Sequence, residues 1–201
     1  MAKSDEHVDA ATTASTAALS AATPTGLTVW LTGLPGAGKT TSAMGLRSQL
    51  DGTDRFVTVI DGDRLRRGLS RDLGFTNEDR DESVRRAGEI ALLLSEQGAI
   101  TVVSLVSPRR SARDAVRARH EQGGVAFIEV YLDASLEVCE QRDPKGLYRR
   151  TREGLVDNMS GIDNPYEVPL TPDLVLATGD LDIMQSIAVL RDAVLAKLST
   201  L

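Results

Sequence analysis

Cysteine is nearly missing from this chain of 201 residues, where Cys139 stands alone. One thiol makes neither an internal disulfide nor a thiolate zinc cluster. A reducing compartment suits such a chain, and a cytoplasmic location is the expectation. Long apolar runs are missing as well. No stretch of about 18 apolar residues occurs, so no membrane span is expected. Basic excess is the third absence. The net charge is -6, whereas nucleic-acid binders usually carry a basic face, so nucleic acid is not expected as a partner. An anionic small molecule stays open, because a local cluster of Arg and Lys dominates its own cleft. Large apolar side chains are missing from residues 1–25 apart from Val8 and Leu19. Such a stretch buries too little to offset its ordering entropy, and a disordered tail is expected there. It lacks the basic start and apolar centre of a secretory signal, and Asp5, Glu6 and Asp9 speak against a transit peptide.

What remains, residues 26–201, is the length of one domain, and no internal repeat is found in it. Thr28 to Leu31 is an apolar run ending in a glycine-rich turn, which reads as a buried strand. Lys39 to Leu50 follows as a helix. Further strands are expected at Phe56–Ile60, Ile100–Val106, Phe127–Leu132 and Leu174–Leu176. Val84, Ala87, Ile90, Ala91 and Leu94 recur at helical spacing within a helix from Glu78 to Gln97. Residues 109–121 are rich in arginine and read as an exposed helix. Ile183, Ile187, Leu190, Val194 and Leu198 mark a closing amphipathic helix. Strands alternating with helices predict an α/β fold, a five-stranded parallel sheet with helices on both faces. Four prolines between residues 143 and 172 mark a long ordered loop with a short helix, and loops of that length are usually functional.

Chemistry enters at Gly33-Leu34-Pro35-Gly36-Ala37-Gly38-Lys39-Thr40, which matches G-x-x-x-x-G-K-[ST]. Glycines let consecutive backbone N–H groups turn inward around a phosphate chain, and the following helix points its positive end at the same anion. Residues 33–41, through Thr41, are therefore the expected ATP loop. Lys39 serves the β and γ phosphates, and the Thr40 hydroxyl serves Mg2+. This is the loop of the P-loop nucleotide fold, and alone it does not separate a kinase from a nucleotide-dependent switch.

Three more clusters bear on that choice. Asp61-Gly62-Asp63 ends the second strand, read as lying beside the first, where carboxylates face the ligand crevice. One carboxylate can take a proton from an acceptor hydroxyl and the other can hold magnesium water. Asp63 is assigned the first role and Asp61 the second. Arg66, Arg80, Arg85 and Arg86 follow, with Phe75 among them. Arginine forks suit sulfate and phosphate oxygens, and an aromatic ring stacks on a base. For Arg85 and Arg86 a solvated helix face is an equal reading. The third cluster, Arg142-Asp-Pro-Lys145-Gly-Leu-Tyr148-Arg149-Arg150, would complete a phosphate clamp if residues 142–165 closed as a lid. A switch needs no second nucleotide pocket, so these clusters favour a kinase.

Taken in order, GLPGAGKTT (33–41), DGDRLRRGLSRDLGF (61–75), DR (79–80), RR..EIA (85–91), VSP (106–108), RDPKGLY (142–148) and GID.PYE (161–167) resemble the adenylylsulfate kinases. The resemblance implies transfer of the ATP γ-phosphate to the 3′-hydroxyl of adenosine 5′-phosphosulfate. It implies Mg2+ and ATP, small-molecule nucleotide substrates and a homodimer. By position it assigns Arg66, Phe75, Arg80, Ser83, Val106, Ser107, Lys145 and Met159 to the acceptor side, and Arg142 joins the ATP side. Ser107 matches a serine sometimes proposed to be phosphorylated, although direct transfer explains the family without that step. Two positions depart from the pattern. Ser83 stands where the family usually has Asn, and Met159 where it usually has a Phe that stacks on the acceptor adenine. Ser loses an amide donor, and Met gives a less defined contact with a ring. Both changes fall on the acceptor side. They predict either a looser grip on that acceptor or a P-loop kinase of another nucleotide or small hydroxyl compound.

Overall fold

A computed structural model describes residues 25–201. The tail expected over residues 1–25 therefore lies, up to residue 24, outside the described residues. Five strands are present: β1 Leu27–Thr32, β2 Val57–Asp61, β3 Ile100–Ser104, β4 Ala126–Leu132 and β5 Leu174–Leu176. All pair in parallel, in the order β2-β3-β1-β4-β5. The helices are α1 Lys39–Gln49, α2 Gly62–Arg66, α3 Asn77–Glu96, α4 Arg110–Gln122, α5 Leu136–Arg142, α6 Leu147–Arg152 and α7 Ile183–Leu198.

Alternation along β1 sends its side chains to two separate cores. Leu27, Val29 and Leu31 pack into a cluster with Ala43 and Leu46 of α1 and Leu190 and Val194 of α7. Trp30 packs on the other side with Val84, Ala87 and Ala91 of α3 and Val116 of α4. Helices thus cover both faces, as the alternating pattern predicts. Contact between α1 and α7 is close enough that a Cβ on Gly45 would sit 2.1 Å from Ile187 Cδ1.

Two local expectations are corrected. β2 does not lie beside β1, because β3 is inserted between them. At the end of β2, Asp61-Gly62-Asp63 leads directly into a helix. Asp61 caps α2, its Oδ1 accepting from the N–H groups of Asp63 and Arg64 at 3.0 and 3.3 Å. The arginine-rich α4 is only partly exposed, with Arg113 and His120 buried. His120 closes a chain of hydroxyls, its Nε2 3.0 Å from Thr28 Oγ1, which contacts Ser95 and through it Thr101. Nδ1 lies 2.8 Å from the Val116 carbonyl, which fixes the proton on Nδ1 and makes Nε2 an acceptor. Among the described residues no helix is long and apolar enough to cross a membrane.

Candidate active site

All five strands run the same way, so their C-terminal ends share one rim, and the ligand crevice of such a sheet opens there. From the end of β1 the chain turns through Gly33–Gly38 into α1. Gly38 is the N-cap of α1 in a left-handed conformation, φ 97°, which a residue with a Cβ adopts at a cost. No side chain caps this helix and no acid stands in its first turn. Its free N–H groups and positive end are left for an anion. Lys39 is buried, its ammonium donating to the carbonyls of Gly33 and Leu34 at 2.9 and 2.8 Å. Burial, with Lys145 nearby, lowers its pKa to about 8.

The acidic pair divides its work. Asp61 is fully committed, with Oδ1 on the α2 N-terminus and Oδ2 accepting from Thr40 Oγ1 at 2.8 Å. Ser104, at the end of β3, brings its hydroxyl within 3.4 Å of Thr40 Oγ1. Asp63 faces the opening and contacts the Lys145 ammonium. The lid lysine and one member of the acidic pair are thus in contact across 82 positions of sequence.

One cavity of about 1030 Å³ takes in these groups. That volume is at the upper end of the range for small-molecule sites. On one side lie Pro35–Thr41 and Arg142, whose guanidinium donates to the Thr178 carbonyl at 2.6 Å. Gly33 and Leu34, expected in the ATP loop, stand behind it as the carbonyls that hold Lys39. Arg66, Phe75 and Arg80 form a second basic lobe of the lining, which also takes in Ser83, Val106, Ser107 and Met159. Arg66 sits 4.1 Å above the Phe75 ring, and Arg80 is 5.5 Å from it. Burial lowers the pKa of Arg80, and the neighbouring Arg66 adds to that. Two like charges brought together beside a ring make a receptive place for an anionic group with a planar base.

Arg85 and Arg86 take no part. They pair with Glu82 and Asp72 on the helix surface, as the solvated reading has it. Met159 lines the cavity but is also packed into the main core at 5% exposure, its sulfur 3.1 Å from Thr151 Oγ1. Ser107 borders the cavity with its hydroxyl turned inward, accepting from Trp30 Nε1 at 3.1 Å and bonded to Thr32 at 3.0 Å. Two residues escaped the sequence reading. Besides Ser104, Thr178 donates to the Ala37 carbonyl at 2.9 Å. Tyr148 of α6, named in the third basic cluster, donates its phenol to the Pro35 carbonyl at 2.9 Å. Tyr148 lies within the RDPKGLY run, but nothing in the sequence joins Ser104 or Thr178 to the phosphate loop.

A switch protein has room and charge for one nucleotide. Two basic lobes meeting at a lysine and a carboxylate are the arrangement of a P-loop kinase, which passes phosphate between two bound molecules. Residues 25–177 match the family model described as adenylylsulphate kinase. An adenylyl-sulfate kinase of Synechococcus sp. (strain JA-3-3Ab) is 51% identical over 162 residues, 81% of this chain and 90% of the relative. The Mycobacterium tuberculosis APS kinase, solved in complex with AMPPNP and APS, is 42% identical with a TM-score of 0.82, covering 85% of this chain and 98% of that one. A hexameric APS kinase from Thiobacillus denitrificans is 31% identical with a TM-score of 0.67, over 87% of this chain and 30% of that one. The chain belongs to the adenylylsulphate kinase family.

Proposed function

We infer that the chain transfers the γ-phosphate of ATP to the 3′-hydroxyl of adenosine 5′-phosphosulfate, giving 3′-phosphoadenosine 5′-phosphosulfate and ADP. The observation that carries this reading is the second lobe, where Arg66 and Phe75 form a cation–ring pair beside Arg80. That chemistry fits an acceptor with one planar base and a doubly anionic tail.

In the proposed mechanism the ATP phosphates lie on the N–H groups of Gly36–Thr40. Lys39 leaves the Gly33 and Leu34 carbonyls for the β and γ oxygens, where its charge offsets that of the transition state. Thr40 and Asp61, with Ser104 close by, offer hard oxygen donors that would hold Mg2+, and the ion would supply positive charge against the transferring phosphate. Arg66 and Arg80 hold the phosphosulfate, Phe75 stacks on the adenine, and Met159 covers it from the opposite side. Asp63 accepts the proton of the 3′-hydroxyl as that oxygen attacks phosphorus. Without ligand Asp63 contacts Lys145, so the anionic acceptor has to draw Lys145 onto itself before Asp63 is free. Residues 142–165 act as the lid that makes this exchange. Direct transfer needs no phosphoserine, in keeping with the inward-facing Ser107 hydroxyl. A homodimer is the proposed assembly by family resemblance, and light scattering decides it.

The test is turnover. ATP with adenosine 5′-phosphosulfate should yield the 3′-phosphorylated product, separable by ion-exchange chromatography, in step with ADP. Adenosine 5′-phosphosulfate left unconsumed, while another hydroxyl compound drives ADP release, would replace this reading with a kinase of that acceptor.

A further inference from the structure

Arg113 lies in the middle of α4 with its side chain 1% exposed. A guanidinium cannot shed its charge, so burying one requires partners for its donors. Here there are three. Nε donates to Glu129 Oε1 at 2.7 Å, Nη1 to the Ser107 carbonyl at 2.6 Å, and Nη2 to the Glu167 carbonyl at 2.6 Å. Glu129 is itself held within β4, its backbone N–H bonded to Asp173. The fork therefore ties β4 to two loops about 60 residues apart in sequence.

The first loop lines the acceptor lobe, and the second leads out of the lid segment, whose Asn158, Met159 and Ser160 line the same cavity. The first contains Ser107 at φ 39°, a left-handed conformation that a serine keeps only when its surroundings hold it there. Trp30 and Thr32 hold its hydroxyl, and Arg113 holds its carbonyl. The second follows the lid, and there Tyr166 places its hydroxyl 2.9 Å from Thr32 Oγ1. The Glu167 N–H donates to the Pro108 carbonyl at 2.8 Å, which closes the ring between the two loops. None of its three hydrogen-bond partners lies in the phosphate loop.

We propose that Arg113 is a positioning residue for the acceptor. It fixes the Val106–Pro108 turn and the anchor of the lid in a single geometry, so that the acceptor lobe is formed before ligand arrives. This rests on the acceptor reading given above and goes beyond it, because Arg113 acts through main-chain carbonyls and never meets substrate.

Arg113→Lys separates the two duties of the side chain. An ammonium keeps the charge beside Glu129 but cannot span two carbonyls and a carboxylate in one plane. The expected result is an acceptor KM raised roughly tenfold, about 1.4 kcal/mol, with the ATP KM within about twofold of wild type. Trp30, the single tryptophan, bonds directly to Ser107, so its emission reports the turn. In Arg113→Lys that emission should shift without ligand, and adenosine 5′-phosphosulfate should move it further toward the wild-type value. If Arg113→Lys fails to fold, Glu129→Gln, which keeps the shape and removes the anchoring charge, should show the same selectivity to a smaller degree. An unchanged acceptor KM, or an ATP KM that rises in step, overturns the proposal. Failure of the wild-type enzyme to use adenosine 5′-phosphosulfate overturns the functional reading instead, so the two failures are distinguishable.

Discussion

Raising the pH should switch off ATP binding through Lys39 well before an ordinary lysine would titrate. The ammonium is buried under the phosphate loop, held only by two carbonyls, and its pKa is lowered from 10.5 to about 8. At that value about nine-tenths of the free enzyme carries the charge at pH 7 and about one-tenth at pH 9. If only the charged form binds ATP productively, kcat/KM for ATP falls roughly tenfold across that interval, about 1.4 kcal/mol. Folding stability moves the other way. The native lysine gives up its proton near pH 8 while the unfolded one keeps it to about 10.5. Between those values the unfolded state binds more protons, and this group adds stability as pH rises. ATP kinetics from pH 6.5 to 9.5 at saturating acceptor, with Lys39→Arg as the always-charged control, give the first slope. Calorimetry in buffers of different ionisation enthalpy gives proton uptake on ATP binding. A flat wild-type profile through pH 9, with no proton uptake, would refute the argument that burial sets this group.

Three other outcomes follow from the site. Asp63→Asn should lower kcat by about 10²–10⁴-fold with little change in the ATP KM, and hydrogen exchange over residues 142–165 should quicken because Lys145 loses its partner. A mainly weakened ATP or magnesium affinity would exchange the roles of Asp61 and Asp63. Met159→Phe with Ser83→Asn should lower the acceptor KM several-fold, since a second ring adds stacking of about 1 kcal/mol. Both changes enlarge buried side chains, so a stability cost of about 1–3 kcal/mol is expected beside that gain, and a raised KM would show instead a pocket shaped around Met. Burial lowers the pKa of His120. The unfolded histidine then takes its proton first, near pH 6.5, and folding stability drops as the pH falls below that. Melting temperature from pH 7.5 to 5 should fall less steeply in His120→Gln, and parallel curves would remove His120 from the acid response.

The phosphate loop could be read directly because it is contiguous, and so could elements with strong periodicity such as α3 and α7. Sheet order could not, since nothing local to β2 says that β3 will be inserted beside it. Asp61-Gly62-Asp63 has the composition of a turn, and its conversion into a helix cap depends on the residues that follow packing down. Arg113 was misjudged for a similar reason. Arginine at helical spacing normally means solvent, and only a partner in the sheet reverses that. The overlooked signal was Glu129, a carboxylate in the midst of the apolar run Ala126–Leu132, which had to find a cation. Ser104 and Thr178 join the site through contacts spanning 64 and 141 positions, beyond the reach of any motif.

Thr178, Leu181, Ile183 and Ser186 wall the ATP side of the cavity, yet they lie past residue 177, where the match to the family model stops. α7 braces α1 from behind at Gly45 and Ile187. The nucleotide pocket therefore depends on the end of the chain as well as on the phosphate loop. A truncation before Ile183 would remove part of the cavity wall and the brace on α1 together.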